Sequence, residues 1–390
     1  MEYTGGLNYI KNLLYAISLV NRGRIDPYIF VSAAIPEKDA EEFSSLATVV
    51  RVPLLERKTV WWFLDRLLVK SIGSQFLVKR ELRKRAIQII SHAASVSGLG
   101  PPFRVISWIP DFQFIHLPRF FPGLNVDAEK RRIRKFISQA DATILSSRAA
   151  YGDFCKIATE DSIARAHVLP FVSQPDTRLG TADDVADKEA IELKYGFRGK
   201  YFYLPNQFWA HKNHWLVLKA VAKLKSRGIE VLVICTGNLN DYRVRNTEYV
   251  DALRGFIAKE SLEKNMLILG LIPYKDVLYL MRNCLAVINP SRFEGWSSTV
   301  EEAKSIGKRV LLSNIAVHME QNPGGARYFD PDDVAGLSAV IQEVWNGPEV
   351  PDSSCQRDAK MLLHERTVAY GEGYVKLVEL IQRGAPVIET

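Results

Sequence analysis

Apolar positions along this chain fall into two alternating patterns. Short apolar runs, among them Tyr28 to Ser32, Thr48 to Val52, Arg104 to Trp108, Tyr201 to Leu204 and Val231 to Asn238, read as strands. Between them stand stretches of helical spacing, such as Ile10, Leu13, Leu14, Ile17 and Val20. Strand and helix in alternation predict βαβ units and parallel sheets. The densest example is VINPSRFEGWSSTVEEAKSIGKRVLLSNI, from Val287 to Ile315. An apolar run feeds Pro290 and a polar loop, and a helix is expected from about Ser298 to Ile306. Gly307 stops it, and Val310 to Leu312 begin the next strand.

Chemistry concentrates in that stretch. Ser298, with Glu301 three residues later, reads as an N-cap and capping box. Glu294 then lies in the loop ahead of the helix and Glu302 in its first turns. The amides of Ser297, Ser298 and Thr299 project from the helix N-terminus, where free N–H groups and the dipole favour an anion. Two carboxylates beside a phosphate cradle suit a sugar nucleotide, which carries hydroxyls at both ends and charge between. Lys212 opens another helical stretch, where a cation opposes the dipole and calls for an anionic partner; the plain alternative is a solvent-facing lysine. Gly5 and Gly6 would let backbone approach a phosphate, or simply turn the chain. In WIPDFQFIHLPRFFP, prolines 110, 118 and 122 forbid a long helix, so this is a shaped loop after a strand. Asp111 and His116 are its candidate polar chemistry; taken alone they would fix the loop and pack in it.

The spacing FEG-x5-EEA resembles the donor motif of retaining GT-B glycosyltransferases of family 4. That resemblance implies an α/β fold of two Rossmann-like parallel-sheet domains facing a cleft. It also implies roles. Glu294 would lie by the sugar hydroxyls and Glu302 would hold the ribose, with Gly295, Trp296 and Ser297 to Thr299 between them on the donor. Lys212 matches the family's diphosphate lysine, whereas Asn206 and Gln207 stand where the family carries Gly-Arg; His211 and Arg292 are the nearby candidates to compensate. Gly237 joins the donor side, and Leu271 and Ile272, after Gly270, would abut the base. Asp111 and His116 match part of an acceptor-side His-Asp…His pattern, with Pro110 in place of its first His. Gly5 and Gly6 match the acceptor-side loop, although only Met1 to Thr4 precede them where the family places a full strand, so a stub or an absent strand is expected. The implied reaction moves a hexose to a hydroxyl of a saccharide or lipid-linked acceptor, with no metal and no cofactor beyond the nucleotide-diphosphate sugar.

The 390 residues fit two domains: 1–170, a linker at 171–198, a donor domain at 199–366 and a crossover helix at 367–390. The net charge of +7 is lopsided. Residues 1–170 carry 24 Lys/Arg against 16 Asp/Glu, and the remainder 27 against 28. No nucleic-acid motif accompanies the basic half, so an anionic membrane or phosphate-bearing acceptor is the expected partner. Residues 60–90 mix Trp61, Trp62, Phe63 and Phe76 with Lys79, Arg80 and Arg83, as an interfacial helix would, or as a helix with a solvated basic face would. The start lacks a secretory leader pattern, which predicts a cytoplasmic protein, either free or peripheral on the inner face of the membrane. The four cysteines form no CxxC pair and read as reduced thiols. Two other functions share these features: a GT-B sugar-nucleotide epimerase, and a catalytically silent partner subunit that binds nucleotide or membrane.

Overall fold

The apolar runs pair as parallel strands in a computed structural model that describes residues 4–56, 59–60, 63–64, 67, 75–93, 101–175, 188–241, 247–348 and 353–384. They fall into two compact units. One is drawn from Met1–Phe112, Asn125–Val172 and Glu365–Thr390, the other from Gln113–Leu124 and Ser173–His364.

In the N-terminal unit β1 (Tyr28–Ser32) pairs with β2 (Thr48–Val52). A separate sheet runs β3 (Ile89–Ala93), β4 (Arg104–Ile109), β5 (Ala142–Leu145) and β6 (Ala166–Val168) in chain order. The first helix, Thr4–Val20, buries Tyr9, Leu13, Leu14, Ile17 and Val20 on one face, as its spacing predicts. Gly5 and Gly6 lie inside this helix's first turn, not in a loop ahead of it. The strand expected before them falls on Met1–Tyr3, outside the described residues. The long last helix, Ser353–Arg383, starts well before the expected residue 367. Its Gly371 packs so close to the helix Thr4–Val20 that a Cβ there would overlap the Ala16 carbonyl. Arg24 adds hydrogen bonds to Glu372 and Glu379. Much of the aromatic-basic stretch at 60–90, including Trp61 and Trp62, lies outside the described residues. Its described residues include the exposed Val60, Phe63, Leu64 and Leu67 and the helix Phe76–Arg83, with Leu82 buried and Phe76 exposed. No helix of the described residues is long and apolar enough to cross a membrane.

The C-terminal unit holds a parallel sheet in the order β12-β11-β10-β7-β8-β9. Its strands are β7 (Phe202–Leu204), β8 (Val233–Thr236), β9 (Met266–Gly270), β10 (Val287–Asn289), β11 (Val310–Ser313) and β12 (Arg327–Phe329). Helices cover both faces. Leu216, Leu253 and Leu337 lie in the core on one face, and Leu280, Val300 and Ala303 in that on the other. Fully burying one such leucine or valine contributes about 1.5–3 kcal/mol, which makes this sheet the rigid base of the unit. Two differences from the expected layout stand out. Helix Lys188–Tyr195 forms within the expected linker, because Ile191 packs in the sheet's second core. The loop after β4, expected with the N-terminal domain, packs into the C-terminal unit as a helical turn at Gln113–His116 and a 3-10 turn at Pro118–Phe120.

Candidate functional site

Strand order in the C-terminal sheet reverses between β7 and β10, from which the chain winds outward in opposite directions. In such sheets a crevice opens beyond the carboxyl ends of the two strands at the reversal. Here those ends continue as Pro205-Asn206-Gln207 and as Pro290-Ser291. A hydrogen bond bridges them: Asn206 Nδ2 donates to Asn289 Oδ1 at 3.0 Å. Gly237, after β8, sits against the Asn206 backbone at φ +148°, where any side chain would overlap the Asn206 carbonyl. Gln207 Oε1 accepts the Asn238 amide at 2.7 Å, so half of this side chain ties the neighbouring loop. Its NH2 has no hydrogen-bond partner among the described residues and remains an uncharged donor.

Lys212 closes a 3-10 turn, Ala210–Lys212, ahead of the helix His214–Lys225 instead of opening that helix. Its expected anionic partner is within the chain. Lys212 Nζ lies 2.7 and 2.8 Å from the two carboxylate oxygens of Glu294, and the side chains are 13% and 8% exposed. Ser291 Oγ donates to Glu294 Oε1 at 2.6 Å. Burial alone would raise the Glu294 carboxyl. The charge of Lys212 and the hydrogen bonds from Lys212 and Ser291 outweigh it and hold the group ionised below its ordinary range. Of the two nearby candidates to compensate, Arg292 is ion-paired with Asp332 and His211 is buried.

The helix after Glu294 spans Ser298–Ser305, and its N-cap is Ser297, not Ser298. Ser297 Oγ accepts the Val300 amide and also Asn289 Nδ2 at 2.9 Å. Buried Gln321 pairs with both backbone groups of Ser297, accepting from its N–H at 3.2 Å and donating to its C=O at 3.0 Å. Gln321 Nε2 also reaches Glu301 Oε1, the carboxylate expected to complete a capping box. Intrahelical bonds begin with Glu301 N to Ser297 O. The Ser297 amide is therefore spent on Gln321, contrary to expectation, and Ser298 and Thr299 are the amides that helix geometry leaves without an intrahelical acceptor. Thr299 Oγ1 donates back toward Asn206 Oδ1 at 3.2 Å, closing the ring of polar contacts around the crevice.

Glu302, on the buried side of the same helix, accepts from Tyr274 Oη at 2.9 Å. Tyr274 opens the helix that follows the exposed Leu271 and half-buried Ile272. Gly295 is buried beside Glu294, and Trp296 is half-buried. His116 lies over Phe293, ring centroids 5.1 Å apart, next to Glu294 in sequence. Asp111 belongs to the N-terminal unit, as do Gly5 and Gly6. His318 is fully buried; its Nδ1 is 3.0 Å from the Ser313 carbonyl, which can only accept, so Nε2 is the bare ring nitrogen. Burial pushes His318 down to about 4, against the opposing pull of Glu294.

Sequence reading had no place for Asn289, Ser291, Gln321 or Tyr274. An asparagine ending the apolar strand VIN is a signal, since a buried amide needs designated partners. Gln321 gives none, because its partners, the Ser297 backbone and the Glu301 carboxylate, lie 24 and 20 residues away in the chain. Among the described residues no three His, Cys, Asp or Glu side chains group as metal ligands.

Residues 187–360 match the family model described as Glycosyl transferases group 1. The O-antigen chain mannosyltransferase RfbU of Salmonella typhimurium is 24% identical over 192 residues, 49% of each chain. The chain thus spans about half the length of the curated relative it matches. HepE of Anabaena, solved with UDP and glucose, superposes with a TM-score of 0.70 at 14% identity, covering 97% of this chain and 96% of that one. Sucrose-phosphate synthase of Thermosynechococcus elongatus gives 0.64 at 14%, covering 96% and 92%. The chain has the GT-B fold of these structures, and residues 187–360, which contain the crevice between β7 and β10, carry the sequence pattern of group 1 glycosyl transferases.

Proposed function

We propose that this protein is a retaining glycosyltransferase of the family 4 type. It moves a hexose from a nucleotide-diphosphate sugar to a hydroxyl of a saccharide or lipid-linked acceptor in cell-surface polysaccharide synthesis. The observation that carries the reading is the buried Lys212–Glu294 pair at the strand reversal, with Glu294 four residues ahead of the start of the helix Ser298–Ser305, which Ser297 caps. In the crevice there, Glu302 with Tyr274 takes the ribose and Leu271 and Ile272 flank the base. Lys212 and the amides of Ser298 and Thr299 stabilise the diphosphate as the bond from its oxygen to the anomeric carbon breaks and charge gathers there. Glu294 orients the sugar hydroxyls. The acceptor's proton passes to the leaving phosphate on the same face, so the step uses neither a protein base nor a metal. The names of the relatives support the donor and the pathway: HepE was solved with UDP and glucose, and RfbU is named for O-antigen chain mannose transfer. Asp111 and His116 are assigned to the acceptor. The basic excess of residues 1–170 supports an anionic acceptor or membrane surface.

Calorimetric titration with UDP, GDP, ADP and their sugars, on wild type and Glu302→Ala, tests this. One nucleotide should bind wild type and be lost in the variant. A folded wild type that binds none of them would sink the donor site. Gln207, an amide in place of a cation, favours a second reading, a silent nucleotide-binding subunit; binding without transfer to any acceptor or water would select it.

A further inference from the structure

With the crevice taken as the donor site, on which this inference rests, the ion pair between Lys212 and Glu294 bears on how a donor enters and a product leaves. An ammonium has three hydrogens, and two are directed at Glu294, at 2.7 and 2.8 Å. At 13% exposure little water is at hand to replace a lost partner. Lys212 therefore cannot serve a diphosphate fully while it serves Glu294, and a diphosphate set beside an unshielded Glu294 meets like charge.

Glu294 differs from Lys212 in having a second partner that cannot move. Ser291 is fully buried; its one hydroxyl proton is directed at Glu294 Oε1, 2.6 Å away, with Asn289 Oδ1 at 2.7 Å the competing acceptor, and its backbone N–H donates to Asn289 Oδ1 at 3.3 Å. Its carbonyl accepts from Ser313 Oγ at 2.5 Å. Ser313 in turn touches His318 Nδ1, so Ser291 is held from β10 and from β11 at once. One partner of the carboxylate is exchangeable and the other is fixed.

We propose that Glu294 is the resting counter-ion of Lys212, that a donor's diphosphate takes that ammonium over, and that Ser291 is the positioning residue that keeps the released carboxylate aimed at the sugar. The exchange favours a complete sugar nucleotide over a bare nucleoside diphosphate. Sugar hydroxyls supply the donors that Glu294 gives up with Lys212, and a bare diphosphate supplies none. Once the sugar has been transferred, Glu294 recaptures Lys212 and expels the nucleotide product.

The test is calorimetry with UDP against UDP-glucose, and GDP against GDP-mannose, on wild type, Glu294→Gln and Ser291→Ala. Glu294→Gln leaves Lys212 enclosed without its counter-ion, so the bare diphosphate should bind about tenfold tighter than to wild type, while the sugar nucleotide gains nothing. Equal or weaker binding of the bare diphosphate overturns the proposal. Should Glu294→Gln fail to fold, wild type carries the same test, because equal affinity for UDP and UDP-glucose also overturns it. Ser291→Ala should leave nucleoside diphosphate affinity and KM unchanged and lower kcat roughly tenfold, the loss expected for one hydrogen bond to a charged group. Parallel loss of affinity and kcat would make Ser291 merely structural and remove the positioning role. If wild type binds no nucleotide at all, the donor-site reading falls first and this proposal with it.

Discussion

The two units solve the same problem, fixing side chains at the carboxyl ends of a parallel sheet, in different materials. Around the ends of β3 and β4 the N-terminal unit packs rings. Tyr9 stacks on Trp108 at 4.3 Å, meets Phe171 edge-on, and hydrogen-bonds His92 Nε2 at 2.9 Å. At the ends of β7 and β10 the C-terminal unit uses short amides and hydroxyls instead: Asn206, Asn289, Ser291, Ser297, Ser313 and Gln321. Ring packing fills volume and tolerates small shifts. A buried amide network tolerates few, since each donor and acceptor has a designated partner and an orphan is costly. The unit that must hold a buried carboxylate and ammonium in register is the one built from directional bonds.

A matched pair of glycines tests whether both units are equally tight where backbone meets backbone. Gly237 faces the Asn206 carbonyl in one unit and Gly371 faces the Ala16 carbonyl in the other. Gly237→Ala adds a methyl into occupied space at φ +148°, and should cost about 3 kcal/mol or more by denaturant unfolding. Gly371→Ala should lose slightly less, because alanine's better helix propensity returns about 1 kcal/mol. A Gly371→Ala protein as stable as wild type would show that the two helices of the N-terminal unit can slide apart where the crevice loops cannot.

Acid should separate the units next. His214 and His318 in the C-terminal unit are pushed by burial to about 3 and about 4, and His92 in the N-terminal unit to about 4. All three start from an ordinary value of 6.5. Between that value and the depressed one, the unfolded chain binds a proton that the folded chain refuses. Stability is therefore complete above pH 6.5 and falls as pH drops toward 4. By about pH 5 each histidine should account for about 2 kcal/mol, so the C-terminal unit, with two, should lose about twice as much. Hydrogen exchange at about pH 7 and about pH 5 reads the units separately. Equal loss in both would mean that one of the two rings is not dry.

Legibility follows the same division of materials. Hydrophobic period alone gives most of the strands and the helix Thr4–Val20, because burial of aliphatic faces is what forms them; it does not give β3, β6 or β12. The acidic pair and Lys212 were legible as a spacing. That Lys212 would be answered by Glu294 was not, because the pairing crosses from the end of β7 to the end of β10. The cap was misplaced by one residue because Ser297 and Ser298 are interchangeable as letters. Only Asn289 and Gln321, brought in from the end of β10 and from beyond β11, decide between them. Gly5 and Gly6 read as a loop since glycine disfavours helix interiors, yet the first turn needs no intrahelical N–H bond and tolerates them.

Gln321 is where the network's stiffness can be measured directly. Gln321→Leu keeps most of the volume but strips partners from the Ser297 N–H, the Ser297 carbonyl and Glu301, and should cost about 2 kcal/mol. It should also weaken nucleotide binding, since the amides of Ser298 and Thr299 are aimed by that cap. A destabilised variant with unchanged binding would separate the network from the site.

The smallest effect compares two helix caps. Ser147 caps the eight-residue helix Arg148–Cys155 of the N-terminal unit, accepting the Ala150 amide at 3.0 Å. Ser297 caps an eight-residue helix as well, but accepts the Val300 amide at 3.4 Å. On cap geometry alone Ser147→Ala should be the worse substitution, at about 1 kcal/mol. Ser297 Oγ also accepts from buried Asn289 Nδ2 at 2.9 Å, and Ser297→Ala strands that donor. The orphaned amide adds about 1 kcal/mol or more, which reverses the order. Thermal unfolding of the two alanine variants therefore isolates one bond of the network against a cap that lacks it. If Ser147→Ala loses as much as Ser297→Ala or more, the Asn289 bond contributes nothing, and the rigidity of the crevice would have to come from the aliphatic packing beneath it.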